Sequence, residues 1–206
     1  MNNFVDYFKS EYYQKLLTPG NGGQNPVRNR ADSLLLVFQL LGNMNNPMIV
    51  ETGCMRPDHG DLCYGDDGCS TKIFDDYLLK NGGTGFSIEK NPINCEYAEK
   101  ICSFMRIICA DSVEGLYCIP SWVRINLLYL DSYDIDVSNP HLANLHALKE
   151  LSAAMPHLYP GSLIVVDDYI IPHMPDCSKG RYVKDFLENV NAEILYEGYQ
   201  LVAQLR

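Results

Sequence analysis

The sequence predicts an α/β protein that is built on a doubly wound parallel sheet. Five short apolar runs lie along the chain, and several of them end on an acidic or polar residue. Parallel strands that are buried on both faces read as apolar runs of this kind. Stretches of helical length separate the runs, and this strand–helix alternation is typical of doubly wound sheets.

Composition and charge limit the classes of function. The chain has 206 residues, of which 47% are hydrophobic and 20% are charged, which suits one folded domain and excludes a disordered chain. The net charge is −10 without any basic cluster, so nucleic acid and anionic membranes are not expected as partners. No apolar span of ~20 residues and no signal peptide are visible, so we expect a cytoplasmic protein whose cysteines are thiols.

Two helices are predicted ahead of the sheet. Apolar residues recur at helical spacing over residues 4–18, and residues 31–42 form a second, largely apolar stretch that ends at Gly42. We assign residues 1–45 to an N-terminal helical cap and residues 46–206 to the main domain, as one structural unit. The cap is expected either to close over the site or to cover an apolar flank or a dimer surface. A homodimer is therefore one of the alternatives for the assembly.

The main domain is predicted to hold five parallel strands and a terminal hairpin. The strands are expected at residues 48–52, 85–89, 106–109, 125–131 and 162–167. Helices are expected at residues 70–80, 94–104, 112–118, 141–158 and 182–190. Two more apolar runs flank the pair Glu197-Gly198, and a two-residue connection favours an antiparallel hairpin at the C-terminal edge, at residues 193–196 and 199–205.

The end of the first strand is the first place to look for a ligand. Ligands of open parallel sheets bind at the carboxyl ends of the strands, beside the switch point. The first strand ends in Glu51-Thr52-Gly53, and a glycine-rich segment leads through Gly68-Cys69-Ser70-Thr71 into the next helix. Glycine lets a ligand approach the backbone, and a helix N-terminus offers donors to a carboxylate or phosphate. The pattern indicates either a cofactor loop or a simple tight turn.

Glu89 at the end of the second strand indicates a ribose contact. An acid at this tip can accept hydrogen bonds from both ribose hydroxyls, and it typically follows the glycine turn by ~20 residues. Glu89 lies 21 residues after Gly68, but the turn is not G-x-G-x-x-G, and Asp66 and Asp67 would repel a pyrophosphate. A nucleoside joined to a zwitterionic amino acid therefore fits better than a dinucleotide.

Three acids follow the fourth and fifth strands. Asp131 ends the fourth strand, and Asp167-Asp168 end the fifth. Neighbouring carboxylates at one rim need a cation between them or raised pKa values. A hard divalent ion such as magnesium is the simplest explanation, and the alternative is that Asp167 or Asp168 caps a loop or a helix.

The sequence motifs resemble those of a known family. IVETG, GDDGCST, FSIEKNP, CADSVEGL, NLLYLDSYD and LYPGSLIVVDDY occur in the order and roughly the spacing of class I S-adenosylmethionine-dependent methyltransferases. The chain looks most like the metal-dependent O-methyltransferases, which include catechol O-methyltransferase and the macrocin-type sugar O-methyltransferases. The resemblance covers residues 46–206 and implies a Rossmann-like methyltransferase sheet that ends with an inserted antiparallel strand.

The resemblance also implies cofactors, an acceptor and their contacts. S-adenosyl-L-methionine would bind with its methionine moiety by Gly53, Ser70 and Thr71, its ribose on Glu89, and its adenine near Asp111 and Ser112. Magnesium would bind Asp131, Asp167 and Asp168. The implied reaction is methylation of a hydroxyl on a small molecule. The predicted cofactor site is completed by Glu51, Gly68, Asn91 and Asp131.

The sequence departs from these relatives at the general base. Catechol enzymes carry a lysine a few residues after the strand-four acid, and sugar enzymes carry an aspartate two residues after it, whereas here Ser132-Tyr133-Asp134 follow. We predict that Asp134 is the base, with His141 and His173 as further candidates. His146, in the helix after the fourth strand, is interpreted as a structural residue.

Rival interpretations stay open at this stage. Cys54, His59, Cys63 and Cys69 are all zinc-ligand types, but their spacing lacks the paired short gaps that zinc sites usually show, so an ordered loop over the cofactor is favoured. A non-catalytic or metal-independent cofactor-binding protein of the same fold is the main alternative function. An NAD-dependent oxidoreductase is a further alternative.

Overall fold

A computed structural model describes residues 3–19, 28–57, 64–171 and 178–206. Within these ranges the helices are α1 (Asn3–Glu11), α2 (Tyr13–Leu16), α3 (Ala31–Leu41), α4 (Ser70–Asn81), α5 (Pro92–Ile101), α6 (Ser112–Tyr117), α7 (His141–Ala154) and α8 (Arg181–Asn189). The strands are β1 (Met48–Thr52), β2 (Thr84–Glu89), β3 (Met105–Cys109), β4 (Leu127–Leu130), β5 (Leu163–Val166), β6 (Glu193–Glu197) and β7 (Leu201–Gln204). No described helix is long and apolar enough to cross a bilayer.

The strands form one seven-stranded sheet in the order β3-β2-β1-β4-β5-β7-β6. The first five strands of the chain pair in parallel, and β7 is antiparallel to both β5 and β6. The order reverses at β1, whose two neighbours are β2 and β4, so a crevice opens there at the carboxyl ends of the strands. The predicted doubly wound sheet with its terminal antiparallel hairpin is confirmed.

Helices cover both faces of this sheet, and each face has its own apolar core. One core combines sheet residues such as Ile49 and Tyr129 with α4 and with the N-terminal helices, where Phe4, Phe8 and Phe38 are fully buried. The other core joins the opposite face of β1, β4 and β5 to α7 and α8. The N-terminal helices therefore cover an apolar face of the sheet, which is one of the roles that the sequence left open for them.

Two helical segments differ from their predicted bounds, and local hydrogen bonds explain the second difference. The single helix expected at 4–18 is divided at Tyr12 into α1 and α2. Helix α5 begins earlier than predicted because the side chain of Asn91 caps it and Pro92 occupies its first position. It ends at Ile101 because one carboxylate oxygen of Asp75 accepts the three backbone N–H groups of residues 103–105.

Candidate active site

A cavity of about 290 Å³ opens at the carboxyl ends of β1, β2 and β4. Polar and charged side chains dominate its lining. Thirteen described residues line it: Gly53, Cys54, Met55, Arg56, Asp67, Ser70, Glu89, Lys90, Asn91, Asn94, Asp131, Ser132 and Asp134. The crevice at the switch point is thus an open polar pocket.

Gly53 shapes the floor of this cavity. Its φ is +81°, and a Cβ atom at this position would lie 2.6 Å from the backbone oxygen of Asp131. Only glycine tolerates both that conformation and that contact. The turn is fixed further by Ser87, whose hydroxyl donates to the Gly53 carbonyl at 2.7 Å, and by Thr71, whose hydroxyl accepts the Met55 N–H at 3.0 Å.

Glu51 is buried directly beneath the cavity lining. Its side chain is 1% exposed, and Ser70, which does line the cavity, donates a hydrogen bond of 2.5 Å to Oε1. The other carboxylate oxygen, Oε2, has no hydrogen-bond partner among the described residues. Burial raises the pKa of Glu51 to about 7, although the hydrogen bond from Ser70 opposes this rise. An unsatisfied acid here is suited to meet a positive ligand group.

Glu89 stands at the tip of β2 and faces the cavity. Oε1 accepts the Asn91 N–H at 2.7 Å and Oε2 accepts the Cys54 N–H at 3.3 Å. A carboxylate has about four lone-pair positions, so two remain to accept hydroxyl groups of a ligand. Asn91 also lines the cavity, while its side-chain oxygen caps α5.

A second, smaller cavity adjoins the first, because Glu89, Lys90 and Ser132 line both. Its further lining residues are Ile88, Asp111, Ser112, Tyr133 and His146. Asp111 caps α6 through Oδ1, and the Ser112 hydroxyl lies 3.0 Å from Nε2 of His146. His146, which the sequence indicated as a structural residue, is therefore part of the cavity wall.

Arg56 bridges two acids across the larger cavity. Its guanidinium makes a bidentate pair with Asp134 at 2.9 and 3.1 Å, and its Nε lies 3.5 Å from Asp67. Burial opposes the charged form, but Asp134 and Asp67 raise the pKa of Arg56 above its ordinary value. Arg56 therefore stays charged and holds Asp134, whose own side chain is largely exposed, at the cavity wall.

The three predicted metal ligands lie together. Asp131, Asp167 and Asp168 each offer a carboxylate oxygen within 4.8 Å of the other two. Asp167 is fully buried, and Arg30 binds it with Nε at 2.9 and 3.0 Å and with Nη2 at 2.7 Å. Gln200 donates to the same carboxylate at 2.7 Å. Hydrogen bonds from the protein thus occupy both oxygens of Asp167.

Lys179 lies between the other two acids. Its ammonium is 2.5 Å from Oδ1 of Asp131 and 3.0 Å from Oδ2 of Asp168, and the side chain is 3% exposed. Tyr199 donates its hydroxyl proton to the remaining oxygen of Asp168. The three acids are therefore paired with two buried cations, Arg30 and Lys179.

The charges of this cluster shift the pKa values of its members. Burial opposes the charged form of Lys179, but Asp131 and Asp168 raise its pKa well above the ordinary value. Burial would raise the pKa of Asp168, yet Lys179 and Arg30 hold it below its ordinary range. Burial raises the pKa of Asp131, against the opposing effect of Lys179, and Asp167 adds to the rise.

This arrangement does not fit a resident magnesium ion. Magnesium needs oxygens at 2.0–2.1 Å with near-octahedral geometry. Both oxygens of Asp167 and of Asp168, and one oxygen of Asp131, already accept hydrogen bonds from protein groups. An ion shared by Asp131 and Asp168 would require the Lys179 ammonium to leave.

Comparison with solved structures relates the fold to methyltransferases. MycE, a methyltransferase of mycinamycin biosynthesis in complex with Mg, SAH and mycinamycin VI, matches with a TM-score of 0.58 and 15% identity over 84% of this chain and 48% of MycE. The O-methyltransferase NovP matches with a TM-score of 0.58 and 14% identity over 87% of this chain and 80% of NovP. A candidate O-methyltransferase from Klebsiella pneumoniae matches with a TM-score of 0.55 and 16% identity, covering 99% of this chain and 90% of that one.

The fold is that of the class I methyltransferases. The resemblance that the sequence motifs indicated is thereby confirmed at the level of the fold. This chain spans about half the length of MycE. No protein-family model and no curated protein matches the sequence.

The methyltransferase fold brings most of the predicted site residues together. Gly53, Ser70, Glu89, Asn91 and Asp131 line the larger cavity, and Asp111 and Ser112 line the smaller one. Glu51 lies beneath the lining. These placements agree with the predicted cofactor site, whose occupancy stays a prediction.

Other predicted residues lie elsewhere in the methyltransferase fold. Gly68 and Thr71 are not among the described lining residues: a Cβ at Gly68 would lie 2.8 Å from Cδ of Arg30, and Thr71 braces the turn after β1. His141 is exposed, and its Nδ1 lies 2.6 Å from the Tyr182 hydroxyl rather than at either cavity. His173 lies outside the described residues.

The structure describes only two of the four residues of the alternative zinc site, Cys54 and Cys69. Cys54 lines the cavity, and burial raises the pKa of its thiol far above the ordinary range, so the thiol stays protonated. Cys69 is buried at the residue before α4. His59 and Cys63 lie outside the described residues, so this interpretation stays a prediction.

Three cations that pair with acids of the site, Arg56, Arg30 and Lys179, are not indicated by the sequence. Each pairs with at least one acid that is distant in the chain: Arg30 and Asp167 are 137 positions apart, Arg56 and Asp134 are 78 apart, and Lys179 and Asp131 are 48 apart. Each lies in a loop, where no apolar periodicity marks its direction. A count of acids and bases at strand ends could not find them, because the partners come from outside the strands.

Proposed function

We propose that this protein is an S-adenosylmethionine-dependent methyltransferase that acts on a hydroxyl of a small molecule. One observation carries the proposal: the two adjoining cavities at the switch point share Glu89, with Ser70 on one side and Asp111 on the other. A nucleoside with an amino-acid arm matches this extended polar shape, and the methyltransferase fold supports the choice.

Each part of the cofactor has a matching group. The methionine ammonium would lie near Ser70 and the buried Glu51, whose Oε2 has no partner among the described residues. The ribose hydroxyls would donate to Glu89, and the adenine would enter the smaller cavity beside Asp111 and Ser112. Ile88 and Tyr133 also line that cavity, and their apolar and aromatic surface suits an aromatic base.

S-adenosylmethionine would supply the methyl group from a sulfonium, which becomes a neutral thioether when the carbon–sulfur bond breaks. The protein has to hold the acceptor oxygen in line with that bond and to remove the hydroxyl proton. We propose Asp134 as the proton acceptor, because it lines the cavity and Arg56 fixes its carboxylate. His141 and His173 stay as alternative predictions.

The acceptor is proposed to be a neutral or cationic small molecule. Asp67, Asp131 and Asp134 line the larger cavity, with Arg56 and Lys90 as its positive groups. The whole chain carries a net charge of −10, which disfavours polyanions at low ionic strength. Magnesium has no assigned role in this proposal, because the acid cluster is already paired.

Calorimetry with S-adenosylhomocysteine tests the proposal directly. We expect one binding site per chain, and we expect the variant Glu89→Gln to bind at least tenfold more weakly, because an amide replaces half of the acceptor capacity with donors. Glu96→Gln, an exposed change on α5, is the matched control and should bind like the wild type.

The outcome separates the rival functions. Binding of NAD in place of S-adenosylhomocysteine would refute the methyltransferase and support an oxidoreductase. Binding of S-adenosylmethionine without methyl transfer to any acceptor in a broad panel of phenols, sugars and other hydroxylated compounds would support a non-catalytic binding protein.

A further inference from the structure

We infer that Lys179 is the built-in cation of the acid cluster, so that this site binds its ligands and works without a divalent metal. Activity without a metal presupposes the proposed function. The absence of a metal from the site depends only on the charge balance of Asp131, Asp167 and Asp168. Lys179 is thereby a positioning residue, because it acts through Asp131, which lines the cavity.

The Lys179 ammonium occupies the place where a shared ion would bind. It lies within 3.0 Å of one oxygen of Asp131 and one oxygen of Asp168, and only 3% of the side chain is exposed. A divalent ion bound to those oxygens at 2.0–2.1 Å would fall within a few ångströms of the ammonium. Repulsion between a double and a single positive charge at that distance is severe in a buried site.

The backbone holds Lys179 in this position. Its own N–H donates to the Asp168 carbonyl at 3.2 Å. Asn144 on α7 binds the chain on both sides of the lysine, because its amide donates to the Ser178 carbonyl and its oxygen accepts the Arg181 N–H at 2.8 Å. Hydrogen bonds to Asp168 and to Asn144 on α7 thus fix the backbone at Lys179 and the residues next to it.

The charge balance leaves little for a metal to neutralise. Among the described residues, with all groups ionised, three carboxylates face the two cations Arg30 and Lys179, which leaves one net negative charge. Removing one partner of a buried ion pair leaves an uncompensated charge. A chain without the Lys179 charge should therefore attract an external cation to the same oxygens.

Manganese uptake by the intact chain tests the inference without depending on turnover. Mn²⁺ replaces Mg²⁺ at oxygen sites and gives an electron paramagnetic resonance signal that falls when the ion binds. We expect the wild type to leave sub-millimolar Mn²⁺ free. The variant Lys179→Met should bind about one Mn²⁺ per chain, at least tenfold more tightly than the wild type.

Lys184→Met is the matched control. Lys184 on α8 pairs with Glu197 on β6, and neither residue lines either cavity. This variant should bind no Mn²⁺. In parallel, calorimetry with S-adenosylhomocysteine on the wild type should give the same affinity in EDTA as in magnesium.

Three results would overturn the inference: stoichiometric Mn²⁺ binding by the wild type, a tenfold loss of S-adenosylhomocysteine affinity in EDTA, or a folded Lys179→Met that binds no ion. If Lys179→Met does not fold in buffer but folds when Mn²⁺ is added, the inference is supported, and if it folds in neither, the wild-type measurements decide. If S-adenosylhomocysteine does not bind at all, the proposed function fails while the Mn²⁺ result still stands.

Discussion

The buried acid beneath the cavity makes a sharp prediction about pH. Glu51 is 1% exposed, Oε1 accepts the Ser70 hydroxyl, and Oε2 has no partner among the described residues. The pKa of Glu51 rises to about 7 from an ordinary 4.5, chiefly because burial disfavours the charged form. The folded protein therefore holds a proton that the unfolded chain releases at lower pH.

The sign and size of the effect follow from this difference. A raised pKa gives stability that is fully present below about 4.5 and is lost as the pH rises through about 7. At ~1.4 kcal/mol for each pKa unit, the total loss is about 3 kcal/mol. The isosteric variant Glu51→Gln cannot ionise, so its stability should lack this part of the pH dependence.

Urea denaturation of both proteins at pH 5, 6, 7 and 8 measures the effect. Relative to Glu51→Gln, the wild type should lose about 2–3 kcal/mol of unfolding free energy between pH 5 and pH 8. The exposed variant Glu96→Gln should follow the wild type. Parallel pH profiles for the wild type and Glu51→Gln would refute the reasoning, because they would mean that Glu51 is already ionised at pH 5.

Three further predictions concern single substitutions. Gly53→Ala should destabilise the fold by about 1–3 kcal/mol and abolish binding of S-adenosylhomocysteine in calorimetry, because the new Cβ meets the Asp131 carbonyl at 2.6 Å. Arg30→Met should cost about 3–5 kcal/mol in urea denaturation, since it leaves the buried Asp167 charge unpaired. Phe8→Ala should cost about 3–5 kcal/mol in the same assay, because its ring is fully buried in the core under the N-terminal helices.

Each of these substitutions has a control that isolates its cause. Gly161 also has positive φ, +101°, but its Cβ position is open, so Gly161→Ala should cost stability without any loss of ligand binding. Arg124→Met and Phe104→Ala change exposed side chains and should each stay within about 0.5 kcal/mol of the wild type. Loss of ligand binding in Gly161→Ala would contradict the explanation given for Gly53. For Arg124→Met and Phe104→Ala, a loss of stability as large as that of Arg30→Met or Phe8→Ala would contradict the explanation given for that partner.

The fold could be predicted from the sequence because its signals are local. Each parallel strand is a segment of four to six residues that carries apolar side chains, and a helix or a turn motif separates it from the next. Alternation then specifies the sheet class without any long-range contact. The predicted ends of helix α5 were less accurate, because they depend on single side chains. Asn91 caps its start, and Asp75 accepts hydrogen bonds from the backbone just after its end.

The site could be predicted only as far as strand ends determine it. Glu89, Asp131 and Asp167 were found because parallel strands bring their carboxyl ends to one edge. The cations that pair with Asp167 and Asp131 follow no such rule. Arg30 comes from the segment before α3 and Lys179 from the segment before α8, so their approach to the cluster depends on the tertiary fold alone.

Arg30 connects the helical cap to the acid cluster at the edge of the sheet. Arg30 belongs to the predicted cap, yet it pairs with Asp167 at the end of β5 and stacks over the ring of Tyr199, with its guanidinium carbon 4.7 Å from the ring centre. Tyr199 in turn donates to Asp168. The cap therefore completes the acid cluster as well as the apolar core. The Arg30–Asp167 ion pair therefore joins the two segments that the predicted boundary at residue 45 separates.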